Sequence, residues 1–347
     1  SMAPFDLPGV YRPTPALESA NAWALAPNRT TDGKTILVIN PHQYYDGPFS
    51  WYEAHLVMEG LNVTGATLFG LPVLLQGHNE VLGWALTPNA PDFADMFHDQ
   101  IKAPPRNPNN PSLPRPDLML RPMVNYVSQS QTYYVQTAQG MVPQTVITAL
   151  SPSGPMFEGV SPNVYTWHIA GFGDFNGLSQ LLQMGRAQSK QDFQRALAMW
   201  HLPCFNILYA DQEGNISYLY NAKVPDRSKV GYANADPNTG QITEYNWRAP
   251  LPSFIESQVW STVVPLATLP RIENPDAGYL QASGSPPWFA TNNAPLAPQD
   301  WPNWLVGDDD TYRARRIRQL LATGQRSFLD NQSMLYDVLV PFAVDVV

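Results

Sequence analysis

Residues 13–42 read PTPALESANAWALAPNRTTDGKTILVINPH. Two apolar runs, Asn21–Ala26 and Thr35–Asn40, flank the polar NRTTDGK, whose Asp32-Gly33 supplies turn chemistry. The pattern predicts a pair of strands. Ser19 and Ala20 stand side by side at the front of the first. Side chains alternate faces along a strand, so a shift of one residue turns a side chain to the opposite face. Which of the two holds the decisive position fixes how the whole strand is read.

Outward from this pair, residues 51–87 (WYEAHLVMEGLNVTGATLFGLPVLLQGHNEVLGWALT) are rich in Val, Leu and Thr and broken by Gly, which suits several strands. YYVQTAQGMVPQTVITAL (133–150) reads as a hairpin, and CFNILYADQEGNISYLY (204–220) as strand, turn, strand. The Pro-rich 103–116 reads as an extended loop. SKQDFQRALAMW (189–200) predicts a helix, with Ser189 as N-cap and Asp192 three residues on. TYRARRIRQLLAT (311–323) predicts another, with Asp308, Asp309 and Asp310 at its positive N-terminal end. SFLDNQSMLYDVLVPFAVDVV (327–347) starts as a helix. Residues 222–310 show little periodicity. Hairpins first and helices later suit an α+β sandwich rather than alternating βαβ units. The expected organisation is a Pro-rich lead-in over residues 1–19 and one domain over 20–347. Ser1-Met2 reads as a cloning remnant, and the apolar finish at Val347 reads as a truncation.

The 347 residues are enough for a large core, with 44% apolar and only 14% charged residues. The 35 prolines, 10 Trp and 16 Tyr suit a β-rich chain with pinned surface loops. A net charge of −9 argues against nucleic acid, whose phosphates require a basic face. No apolar run is long enough for a membrane helix. The single cysteine, Cys204, has apolar neighbours and reads as packing; one thiol makes no internal disulfide and no metal spacing.

Seven blocks, NAWALAP, NPH, YEAHLV, GATLFGLPVLLQGHNEVLGW, DFADMF, FNILYADQEGNISY and NPDAGYLQASGSPPW, occur in order across almost the whole chain. In this order and spacing the chain resembles the penicillin acylase family, in particular the β subunits of cephalosporin (glutaryl) acylases and acyl-homoserine lactone acylases. The resemblance implies an N-terminal nucleophile (Ntn) hydrolase with an αββα sandwich. In that family a precursor cuts itself before a serine. The freed serine attacks a linear amide with its own α-amino group as base, and a backbone N–H and an asparagine amide hold the oxyanion. The implied setting is periplasmic or extracellular, with a separate α-type chain and a C-terminal remainder as partners.

Carried over residue by residue, the family pattern Gly-Ser-Asn-x-Trp falls on Ser19-Ala20-Asn21-Ala22-Trp23. The nucleophile position is Ala20. The backbone oxyanion donor falls on Pro88, which has no N–H, and the asparagine falls on Gly284. Asn21 and His42 keep their catalytic-site positions, and Trp23, Tyr44, Tyr45, Trp51, Thr87 and Arg313 are the candidates for lining a ligand pocket. Asp92 and Asp95 match carboxylates of a structural calcium site, a role suited to hard oxygen ligands; no other cofactor is expected. Ser19 as nucleophile would place its hydroxyl on the wrong strand face. Three readings follow. The first is a non-hydrolytic descendant that binds an acyl or amide small molecule, or serves a biosynthetic pathway. The second is a true acylase with Ala20 introduced by engineering. The third is a different chemistry with His42 as base.

Overall fold

The structure is a computed structural model that describes residues 19–42, 50–100, 127–151, 154–158, 163–229, 247, 250–252 and 259–339. Along the chain the strands β1 (Ser19–Leu25), β2 (Ile36–His42), β3 (Trp51–Met58), β4 (Leu61–Leu68), β5 (Gln76–His78) and β6 (Leu82–Thr87) come first. They are followed by β7 (Ala94–Gln100), β8 (Val127–Thr137), β9 (Gly140–Ser151), β10 (Gly154–Glu158) and β11 (Asn163–Ile169). Helices α1 (Gly177–Arg186) and α2 (Lys190–Ala198) precede β12 (Cys204–Asp211) and β13 (Ile216–Ala222). The short strands β14 (Leu251–Pro252), β15 (Arg271–Glu273) and β16 (Tyr279–Ala282) lead to α3 (Tyr312–Leu321) and α4 (Phe328–Met334). The predicted Pro-rich loop at 103–116 lies outside the described residues.

Two compact units form. The first comprises the described residues of Ser1–Pro91, Phe175–Ala222 and Leu266–Val347; the second those of Asp92–Asp174 and Lys223–Pro265. The second holds a six-stranded sheet of order β14-β7-β11-β10-β9-β8. The first holds a three-stranded sheet, β16-β1-β2, and a seven-stranded sheet, β15-β13-β12-β6-β5-β4-β3.

The layering of the first unit follows from residue size on alternate positions. In β1, Trp23 and Leu25 point one way and join Tyr279, Ile317 and Leu321 in a buried cluster, with Ile36, Val38 and Met334 packed against it. That face is covered by α3 and α4. Ala20, Ala22 and Ala24 point the other way, and β1 packs there on β6 and β12 of the larger sheet. Small side chains allow the close approach: a Cβ on Gly83 of β6 would come within 3.1 Å of Leu37 of β2. On the far face of the larger sheet, Phe193 of α2 packs its ring 6.3 Å from Trp84 and 4.9 Å from Tyr209. The result is helix, sheet, sheet, helix. Truncating a core aromatic such as Trp23 to Ala in such packing costs about 3–5 kcal/mol.

The first hairpin is as expected in kind but shifted at its ends. β1 and β2 pair antiparallel with Ser19 opposite His42, Ala20 opposite Pro41 and Asn21 opposite Asn40. Gly33 takes φ +68° in the connection, and Lys34 N–H donates to Asp32. β1 is not an edge: its other side pairs with β16, Ala22 opposite Ala282. The aperiodic 222–310 had concealed that partner. Helix α1 was also missed; it buries Gln180, Leu181, Met184 and Gly185. Helix α2 begins where expected, Ser189 accepting from Asp192 N–H. At α3 the three aspartates precede the helix as expected, but outside its first turn. Thr311 is the N-cap and no acid lies in the first turn; Asp310 instead pairs with Arg315 and Arg318. Cys204 is half-buried at the start of β12, not in the core.

Candidate active site

Ala20 is buried, 5% exposed, and its side chain is a methyl group. By strand alternation it faces the layer between the two sheets of the first unit. Across that layer, β6 and β12 pair Thr87 with Asn206 and turn both toward β1. Thr87 is buried and its hydroxyl accepts from the Asn206 amide at 3.2 Å. The same amide donates to the Pro88 carbonyl at 3.2 Å, while Tyr218 O–H donates to Asn206 Oδ1 at 2.7 Å. Pro88 follows β6 directly. It has no N–H to give, and its carbonyl is already used. Thr87, expected to line a pocket, is a strut of this network. Asn206 and Tyr218 were missed; a polar Asn inside the apolar CFNILYA was the available signal.

Gly284 follows β16 with φ +75°, in the left-handed region. A Cβ there would lie 2.9 Å from Arg313 Nη2. Where a side-chain amide is expected, a guanidinium stands instead. Arg313, on α3, donates through Nε and Nη2 to the Ser283 carbonyl at 3.2 and 3.0 Å. Thr311 Oγ1 donates to the same carbonyl at 3.2 Å.

On the α3 side of β1, the Asn21 amide meets the His42 imidazole at 3.3 Å. Burial, and then the Arg313 charge, push the His42 pKa below the usual imidazole value. Burial also lowers Arg313. Ala20 lies opposite Pro41, whereas His42 bonds the next residue, Asn21.

Trp23 is core: it is 1% exposed and its indole N–H donates to Asn331 Oδ1 at 2.8 Å. Its ring is packing rather than pocket lining. Trp51 begins β3, an edge strand of the larger sheet, and is half-buried. Tyr44 and Tyr45 lie outside the described residues.

Asp92 and Asp95 belong to the second unit, where a guanidinium engages both. Arg227 bonds Asp95 through Nε and Nη2 at 3.0 and 2.8 Å, and its Nη2 lies 3.0 Å from Asp92. Trp260 N–H takes Asp95 Oδ2 at 2.8 Å. With that positive charge in place, this donor set does not fit a calcium ion. Among the described residues no group of three or more His, Cys, Asp or Glu could hold a metal.

The sequence model of the penicillin amidase family matches residues 5–347. The chain belongs to the penicillin amidase family. It is 25% identical over 331 residues to penicillin acylase 2 proenzyme of Pseudomonas sp. SE83, covering 93% of this chain and 38% of that protein. It is 26% identical over 347 residues to the acyl-homoserine lactone acylase PvdQ of Pseudomonas fluorescens Pf0-1, covering 94% and 43%. The thermostable penicillin G acylase of Alcaligenes faecalis has a similar fold. Its TM-score is 0.65 at 21% identity, over 89% of this chain and 50% of that one. The penicillin amidase-family chain thus spans less than half the length of these two curated relatives. Its mixed sheets and few helices agree with the α+β Ntn-hydrolase fold. Among the described residues no helix is long and apolar enough to cross a membrane.

Proposed function

We propose that this penicillin amidase-family chain binds an acyl- or amide-type small molecule without hydrolysing it. The observation that carries the reading is Ala20, a buried methyl at the nucleophile position. Acyl transfer by this route needs a hydroxyl activated by an adjacent base, and donors aimed at the developing oxyanion. Position 20 has no hydroxyl, Pro88 has no N–H, and Gly284 has no side chain. Three separate losses favour a lineage that gave up the reaction over a single engineered change. The kind of ligand is taken from relatives named as penicillin and acyl-homoserine lactone acylases. A periplasmic or extracellular setting, and assembly with an α-type chain or a C-terminal remainder, are part of the same proposal.

The test is Ala20→Ser, followed by mass spectrometry for a cut between residues 19 and 20, with assays on phenylacetyl, glutaryl and acyl-homoserine lactone amides. The expected result is no cut and no hydrolysis in either protein. Self-cleavage with recovered hydrolysis would instead establish a working acylase framework.

One observation favours a second reading. Burial, and then the Arg313 charge, favour the neutral form of His42, the form a general base needs, and its imidazole meets the Asn21 amide. Hydrolysis or addition chemistry lost on His42→Gln, with Ala20 unchanged, would support it.

A further inference from the structure

We infer that Arg313 holds a carboxylate anion, so that the ligand of this site is a small carboxylic acid rather than a neutral amide. The inference rests on the reading that the site binds without cleaving.

Helix α3 and its environment supply the argument. Arg315 pairs with Asp310 at 2.9 Å, Arg316 with Asp337 at 2.8 Å and Arg318 with Asp310 at 2.8 Å. Arg313, the fourth arginine of the helix, has no carboxylate partner among the described residues. Its two donated hydrogen bonds converge on one neutral oxygen, Ser283 O. A guanidinium carries five N–H donors in a planar fork. Most of that fork is unused, although the side chain is half-buried, where an unbalanced charge is costly. Burial already lowers its pKa, which is the signature of a charge short of compensation.

Neighbouring groups also lack partners. Gly284 has no Cβ, and one there would press on Nη2 at 2.9 Å, so the glycine is what admits the guanidinium. Ser283 is fully buried and its hydroxyl has no partner. Asn21 is buried, with one amide atom on His42 and its Oδ1 unpartnered. A half-turn of that amide offers its NH2 instead, because either orientation can pair with an imidazole. One unpaired guanidinium matches one monoanion. A phosphate dianion would keep half its charge unanswered.

The experiment is calorimetric titration near neutral pH with phenylacetate and octanoate, each against its amide, phenylacetamide and octanamide. The protein is tested as wild type, Arg313→Gln and Gly284→Asn, with inorganic phosphate as competitor. The acids should bind at least about tenfold tighter than the amides. Arg313→Gln should abolish that preference. Gly284→Asn tolerates the left-handed backbone and crowds Nη2, so it should weaken acid binding too; it carries the test if Arg313→Gln unfolds. Equal affinity for acid and amide, unchanged in both variants, overturns the inference and leaves the binding reading standing. Binding of neither class overturns both. Displacement by phosphate at equal concentration overturns the carboxylate assignment.

Discussion

A side chain that ends at Cβ has no lone pair to attack a carbonyl, and at position 20 that difference is one oxygen atom. The same scale governs His42. Its pKa is depressed by burial and by Arg313. Between the folded value and the ordinary value near 6.5, the unfolded chain binds more protons than the folded one. Stability therefore rises with pH across that window and is lost as pH falls below about 6.5. The expected outcome is a melting temperature that drops more steeply from pH ~7 to ~5 in wild type than in His42→Gln; parallel curves in calorimetry would remove this role. Asn21, His42 and Arg313 were named from the sequence through their family positions. That His42 bonds Asn21 while Ala20 lies opposite Pro41 was not, because a one-residue register is set by pairing across the sheet. Trp23 shows the opposite limit. An aromatic next to a site reads as pocket lining until its indole N–H is found on Asn331.

At the scale of elements, local chemistry was readable where it was local. Ser189 caps α2 as its sequence position implies, accepting from Asp192 N–H and donating to Asp192 Oδ2 at 2.8 Å. Ser189→Ala should destabilise the protein by about 1 kcal/mol in urea unfolding. The three aspartates stand before α3 as expected, but nearby arginines and a tyrosine engage two of them. Tyr220 O–H donates to Asp308 at 2.7 Å, and Asp310 takes Arg315 and Arg318. Asp309→Asn should therefore be nearly neutral, and Asp310→Asn more costly, in the same unfolding experiment; the reverse order would restore the dipole account. The strand β16 escaped notice for a different reason. Four residues carry too little periodicity to be seen alone, yet they supply the second partner of β1.

For the molecule as a whole, the sequence read from residue 20 as one domain, while the described residues form two compact units built from interleaved segments. No composition change marks the crossings. In the second unit the Arg227–Asp95 pair has side chains 1% and 0% exposed. Arg227→Met would leave Asp95 buried and unpaired, a loss of about 3–5 kcal/mol. A chelator should leave the melting temperature unchanged, since the guanidinium already answers both carboxylates. A fall in EDTA restored by calcium would show that the two acids bind the metal after all.

The sequence by itself determined the family, the α+β class, the first hairpin and the identities of Ala20, Pro88 and Gly284, because each depends on residue order alone. Tertiary structure decided what fills the space around those vacancies. The Asn206 amide on Pro88, the Arg313 fork beside Gly284 and the Arg227 charge between two aspartates join groups from about 30 to 130 positions apart. Chain entropy opposes such meetings, and only the packed sheets hold them in place.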